Sequence, residues 1–555
     1  MKKKKITLIS LLAVSLMAMA QENKPDTTLT RTVVVEHEYA PEIEDARKIN
    51  TLPPVEAPVV SQKKEVEYDL QQRPLRPDAT TIDLYEAPAK ANPRQFGYVR
   101  AGMGNEGRLD LLGRYRTRLS DNDRMDIHLS LNGLKGDGEW SNGGEWSRHE
   151  YRTQASLGYE HDFQGYTLDA AAHMGLRNFN VLLPFEQVPS RNQRFTAGDF
   201  HLGFGSTDRS RNIQFTGETN LMFYNRAHEP IAESFGETLI RTKADVSGNL
   251  PAEGQRIGLA LQMDNYFYNQ DLIDNRTDLC LNPYFAYEND QWQLRAGLKT
   301  DWALGSGKKF YLAPDLLASY RITSRGELYA QVTGGKLAND FRRLEALNPY
   351  LYVGQEAPRS TYEQFNASLG LRISPSDGLW LHFYGGFQEL KDDLGFHSEL
   401  YYIGASSAEP IQEERQWRQG KTRNFYAGGE LLFDYMNQLK LTATALYRSW
   451  KDVDEMDLLY YKPQLDARLQ LEATPMTALS ARLGFHYQKR ENQQTSVAWQ
   501  KPEAISNLYA SATYCIFQPI SLYLQADNLL NKKYQTYWGC PSTGLTLLGG
   551  VIFRF

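Results

Sequence analysis

Three histidines, His128, His173 and His486, sit in alternating stretches that also carry aspartate and serine, the residue types from which a hydrolytic site is assembled. Nothing in their spacing favours such a site. The chain has no HExxH, no GxSxG and no Walker loop. Asp452, Asp454, Glu455 and Asp457 alternate carboxylates as a Ca²⁺ loop would, but without the glycine-turned spacing of an EF-hand, so a solvated acidic loop is the simpler expectation. Arg114, Arg116 and Asp110, and likewise Arg295, Lys299 and Asp301, recur at every second position of their segments. They share one face of a strand, a wetted wall rather than a catalytic centre. No enzyme activity, cofactor or metal site is expected. The net charge of -6 gives no reason to expect a nucleic-acid partner. Three cysteines in 555 residues do not make a disulfide framework. Cys280 and Cys515 read as strand positions on the wet face and Cys540 as a loop residue, all three incidental.

The elements that carry these residues alternate with period two. Tyr166, Leu168, Ala170, Ala172, Met174 and Leu176 oppose Thr167, Asp169, Ala171, His173, Gly175 and Arg177. Trp292, Leu294, Ala296, Leu298, Thr300 and Trp302 oppose Gln293, Arg295, Gly297, Lys299 and Asp301; Leu479 to Gln488 repeats the pattern. A soluble sandwich also alternates, but its strands are shorter. Trp292 and Trp302 lie ten steps apart, roughly 33 Å along a strand and about 23 Å of height at a 45° tilt, which predicts two rings of a membrane girdle. The ending LTLLGGVIFRF puts Leu545, Leu547, Val551, Phe553 and Phe555 on one face and Thr546, Gly550 and Arg554 on the other, with Leu548 and Ile552 among them. A final strand of this kind, finishing on an aromatic, is expected to close a transmembrane barrel. Mean hydropathy of -0.54 agrees, because every second barrel residue faces water.

Twenty-two such segments can be traced between Phe96 and Phe555, beginning near Phe96, Leu109, Met125, Ser147 and so on to Ser521 and Thr543. Every second link is short and turn-like (LSDNDR, FQG, TDRSR, PAEGQ), whereas the others include Ala338 to Ser360 and the stretch from Leu400 to Arg423, read as long outer loops. The fold class is therefore all-β: a transmembrane antiparallel barrel of about 22 strands occupying 96–555. Residues 1–20 have a basic start, a short apolar run and Ala18-Met19-Ala20, a secretory signal peptide. Residues 21–95 hold nine prolines and neither glycine, Phe nor Trp, and predict an extended periplasmic tail that cannot bury a core of its own.

From Asp527, Asn528 and Leu529 through Lys532, Lys533 and Tyr534, the run DNLLNKKY resembles the penultimate strand end of TonB-dependent receptors, and the last strand resembles theirs in its aromatic ending. The Pro-Gly-Arg common at the start of that strand is replaced here by Pro541-Ser542-Thr543-Gly544. The resemblance covers the barrel and implies an outer-membrane location, folding by the barrel-assembly machinery, and transport. The signal-peptide region resembles those of Bacteroidota. The family's folded plug has no counterpart: the 75 residues ahead of the barrel are proline-rich and glycine-free. Thr32 to Glu36, with Val33, Val34 and Val35, resembles a TonB box, the segment that pairs with TonB by strand addition.

A 22-strand wall is roughly 40 to 45 Å across at ~4.8 Å strand spacing and must be filled. The tail, infolded outer loops or a second protein would fill it, and the expectation is that the loops fold inward. Three functions follow: a plugless transport component, a scaffold with a periplasmic or outer-membrane protein partner, or a degenerate TonB-dependent receptor importing a bulky nutrient.

Overall fold

The computed structural model describes residues 97–555 apart from 140–144, 183–190, 209–210, 229–233, 272, 306–309, 351–357, 403–410, 437, 457, 460–461, 492–502 and 538–539. These residues all belong to the second of two compact units, Asp69–Phe555. The proposed signal peptide, the tail and Val33 to Val35 lie outside the described residues.

Twenty-two strands form one sheet in which every strand pairs antiparallel with its neighbours in sequence. The first strand, Gly97–Gly104, pairs with the last, Thr546–Arg554, from Tyr98 opposite Arg554 to Gly104 opposite Leu548. Gly97 and Phe555 exchange two backbone hydrogen bonds of 3.0 Å. The sheet closes on itself through this pair, so the barrel has no first or last edge strand.

Alternation sets the two faces. Leu369 and Leu524 are each 57% exposed on the outer face, whereas Asn366 and Gln488 on the inner face are 2% and 1% exposed. That is the reverse of a soluble core and the pattern of a lipid-facing wall. Inner-face tyrosines lie over glycines of the adjoining strand: a Cβ on Gly428 would collide with the Tyr384 ring, and one on Gly484 with the Tyr509 ring. These close approaches explain glycines that a strand would otherwise disfavour.

Observed strands begin within three residues of the expected starts, with one exception. The stretch Leu400 to Arg423, expected to be a long loop, is mostly ladder. Leu379–Tyr402 and Ile411–Tyr435 pair from Leu379 opposite Phe433 to Tyr402 opposite Ile411, with an irregularity between Leu390 and Asp393. The hairpin runs well past its neighbours, whose pairing stops at Lys391 on one side and Asp452 on the other. The sequence of this hairpin, from His397 to Gln416, is polar and carries no sustained apolar alternation of the kind that reveals a strand. The segment Ala338 to Ser360 departs from expectation too, since it contains the helix Phe341–Leu347.

Candidate functional site

The links at the end of the barrel that carries Gly97 and Phe555 are all short; the long connections lie at the opposite mouth. There the helix Phe341–Leu347 folds inward across the lumen. Asp340 caps it by accepting from the Arg343 amide at 2.7 Å. Phe341 and Leu344 are buried beside Phe179, Phe195, Tyr224 and Phe235 of the wall. Tyr350, following the helix, meets Phe179 edge-on at 5.3 Å and Tyr537 at 5.7 Å. Leu394 of the long hairpin joins the same cluster, as does Cys540. Three separate sectors of the wall therefore meet through one aromatic core, which forms a roof over the lumen.

Charges fix the roof in place. Glu345 accepts from Arg177 at 3.2 Å and from the Tyr224 hydroxyl at 2.9 Å. Arg177 also pairs with the buried Glu150, which holds Arg148 at 3.0 Å. Arg342 donates to Asp199 at 3.1 Å and to the Gly198 carbonyl at 2.5 Å. The Phe341 amide donates to Glu237 at 3.0 Å. Helix and wall thus share a network in which each buried charge has an opposite charge or a backbone partner, the condition under which buried ions are tolerated.

A second inward segment comes from the stretch after Asn528. Arg490 donates to the carbonyls of Thr536 at 2.6 Å and Gln535 at 2.7 Å, and Arg148 to that of Pro541 at 3.2 Å. Gln535–Tyr537 and Cys540–Pro541 make a small ladder of their own. The Cys540 thiol donates to the Tyr350 hydroxyl at 3.0 Å, and burial pushes that hydroxyl's pKa well above its ordinary value. Cys540, read from sequence as an incidental loop residue, is a packed part of the roof. Cys280 and Cys515 lie on the inner face as expected, and all three thiols are free.

The DNLLNKKY run acquires a mechanical reading. Asp527 accepts from Arg108 at 2.7 Å. Asn528 takes a left-handed backbone, φ 50°, and its side chain bonds the Lys532 amide at 3.0 Å and the Thr543 carbonyl at 3.1 Å. The Leu529 amide donates to the Leu508 carbonyl at 2.8 Å, Lys532 and Lys533 face solvent, and Tyr534 is buried with its amide bonded to Ser542 at 3.1 Å. The motif turns the chain off the wall and into the mouth.

Trp292 and Trp302 both face outward, 42% and 45% exposed. Each packs on its cross-strand partner, Tyr320 and Phe310, with ring centroids 4.7 Å apart. Phe553 and Phe555 also face outward and stack on each other at 6.0 Å, while Leu548 and Ile552 turn inward against Tyr523.

Most of the other candidate residues are paired separately along the wall. Asp110 pairs with Arg100 at 2.6 Å, Arg114 and Arg116 share Asp126, and Arg295 pairs with Asp315 at 2.9 Å. Lys299 and Asp301 face the lumen further along Arg295's strand. His173 pairs with Asp199 at 2.7 Å and His486 with Asp466 at 3.4 Å, and the other oxygen of Asp199 is held by Arg342. His128, Ser156, His173 and Asp199 lie opposite one another in turn across four adjoining strands, but no hydrogen bond joins Ser156 to either histidine among the described residues. Asp452 and Asp454 bond the backbone amides of Leu458 and Lys421 at 2.9 and 2.7 Å, while Asp457 lies outside the described residues. Sequence reading missed the roof helix, although Asp340 ahead of FRRLEAL is an N-cap followed by good helix formers.

The architecture defines a class, the large closed 22-strand transmembrane barrel. No family model matches the chain, and no curated protein does. Solved structures do. The ferric-catecholate import receptor Fiu from E. coli K12 superposes with a TM-score of 0.61 at 9% identity, over 83% of this chain and 82% of that one. The siderophore receptor PirA from Acinetobacter baumannii gives 0.61 at 10% identity, over 83% and 80%. The FrpB iron transporter from Neisseria meningitidis gives 0.62 at 11% identity, over 85% and 83%. At these identities the likeness is one of fold.

Proposed function

We propose that this chain is an integral outer-membrane barrel, a plugless relative of the TonB-dependent receptors that serves as a transport or assembly component. The observation that carries the reading is the roof: the mouth is spanned by the chain's own helix Phe341–Leu347 and by the segment around Tyr537 and Cys540. In this reading residues 1–20 are cleaved after export, 21–95 form a periplasmic tail without a plug, and the barrel begins at 96. Trp292 and Trp302 mark the two membrane interfaces, and Phe553 and Phe555 present the terminal signal to the barrel-assembly machinery. The tail is left to reach a periplasmic or outer-membrane protein partner. A TonB-coupled receptor importing a bulky nutrient through Val33 to Val35 is the second reading, favoured by the import functions of Fiu, PirA and FrpB.

Extraction of the outer membrane in mild detergent, with capture of this chain, tests the first reading. A stoichiometric protein partner that is lost when residues 21–88 are deleted is the expected result. Recovery of the barrel alone, or with TonB as its sole partner, sinks it.

Topology has its own test. An impermeant thiol reagent on whole cells should label Glu503→Cys, in the roofed mouth, above the background of the parent protein. Asp121→Cys, in a short turn at the other end, should react only after lysis. The reverse pattern would invert the barrel.

A further inference from the structure

Behind the roof, on the outer face of the same wall, lies a hollow of about 540 Å³. Its lining alternates with the strands. Phe200, Phe223, Phe267 and Met174 form the rim, and all four are outward-facing and between 41% and 61% exposed. The residues between them in sequence point the other way: Tyr224 bonds Glu345 and Glu237 bonds the Phe341 amide, both inside the lumen. Their side chains are committed on that inner side. The cavity therefore opens toward lipid, not toward the pore.

Gly198 opens it. A Cβ built on Gly198 meets nothing nearer than the His173 carbonyl at 3.7 Å, so the space in front of it is open. At Gly236 the space is taken by Asn269, whose side chain accepts from the Gly236 amide at 2.6 Å. The polarity of the outer face changes across the hollow. On the strand Ile213–Ala227 the outward residues pass from Leu221 and Phe223 to Asn225; on Arg191–Ser206 they pass from Phe200 through Gly198 to Thr196 and Arg194. Arg194 is exposed, and its guanidinium has no partner among the described residues. Asp271 stands beyond Asn269 on the far side, so the cationic edge is confined to the Arg194 side. An occupant with an acyl chain below and an anionic head above satisfies both ends.

We infer that this hollow is a lipid site that takes one acyl chain of a phosphorylated, lipid A-type glycolipid of the outer leaflet, with Arg194 meeting a phosphate. The cavity size falls in the range of small-molecule sites, roughly 300–1,000 Å³. The lipid would lie one backbone thickness from the roof's anchor, because Arg342 grips the Gly198 and Phe223 carbonyls from the lumen side. The inference rests on the outer-membrane reading given above.

Density-gradient fractionation comes first, since absence of the chain from the outer membrane overturns that reading and this one with it. Protein from the outer-membrane fraction, delipidated in detergent, is then titrated with lipid A or with phosphatidylethanolamine and followed by native mass spectrometry. The expected result is one preferred lipid A adduct. Gly198→Leu, which fills the hollow, should weaken it by about tenfold, as when an acyl chain loses contact for a few methylenes. Arg194→Ala should also weaken it, and Gly113→Leu, on open outer wall elsewhere, should not. Thr238→Trp serves as a second filling variant, with heat-modifiable gel mobility as the check on folding. Lipid A binding that is unchanged in both filling variants, absent altogether, or matched by phosphatidylethanolamine overturns the site while leaving the barrel's location intact.

Discussion

Replacing residues 340–349 with a short Gly-Ser linker should turn a closed barrel into a large pore. In planar bilayers the conductance should rise on the order of tenfold, because a wall of this size without its filling is wider than the barrels that already leave an aqueous channel. Cells carrying the variant should become sensitive to antibiotics too bulky for ordinary porins. Point variants divide the effect. Phe341→Ala removes the centre of the roof core, a change costing about 3–5 kcal/mol at a buried aromatic. Glu345→Ala takes the acceptor from Tyr224 but leaves Arg177 its pair with Glu150, so it should loosen the roof by about 1–3 kcal/mol. Both act on one network, so their effects should not add. Deleting residues 21–88 instead should leave a folded, heat-modifiable barrel that stays closed. If that deletion alone opens a large conductance and the linker variant does not, the tail is the stopper and the roof is not.

The wall could be read from sequence because its physics is local. A strand wet on one side and oiled on the other writes its period into consecutive residues, as in Trp292 to Trp302, and short turns such as FQG mark where it reverses. The hairpin around Tyr402 and Ile411 escaped because its sequence, with Glu399, Glu413, Glu414 and Arg415, carries no sustained apolar alternation. The roof escaped for a different reason. Phe341–Leu347 is two turns long, too short for a helical period to emerge, and what places it is a set of contacts with residues more than a hundred positions away, such as Glu345 with Arg177 and Tyr224. The lumenal charges were assigned to the correct face, but face alone does not tell which of them meet. Arg342 with Asp199 depends on how deeply the loop enters, and no spacing encodes that depth. Cys540 was set aside for the same reason, since a lone cysteine in a loop carries no sign of the tyrosine it will bond.

Val34→Pro should leave function intact, and so should loss of TonB. Proline at that position lacks the amide that strand addition needs and locks its own φ, so it would abolish pairing of Val33 to Val35 with TonB. In a receptor with a plug, TonB pulls on the element that blocks the lumen. Here the chain enters the wall at Gly97, and the closure visible among the described residues is the roof at the opposite mouth, held by Arg177, Asp199, Glu237 and Arg490. A pull from the periplasm transmitted to Gly97 would load the first strand, which is locked by two ladders and the Phe555 hydrogen bonds, and would leave the roof where it is. Transport driven in that way lacks a moving part. The measurement is a comparison of the gene deletion, Val34→Pro and a TonB deletion by envelope integrity and by recovery of the co-purified partner, with barrel levels checked by immunoblot. Wild-type behaviour of Val34→Pro is the expected outcome. If the variant reproduces the deletion phenotype at normal protein level, TonB does work on this chain, and the receptor reading replaces the plugless one.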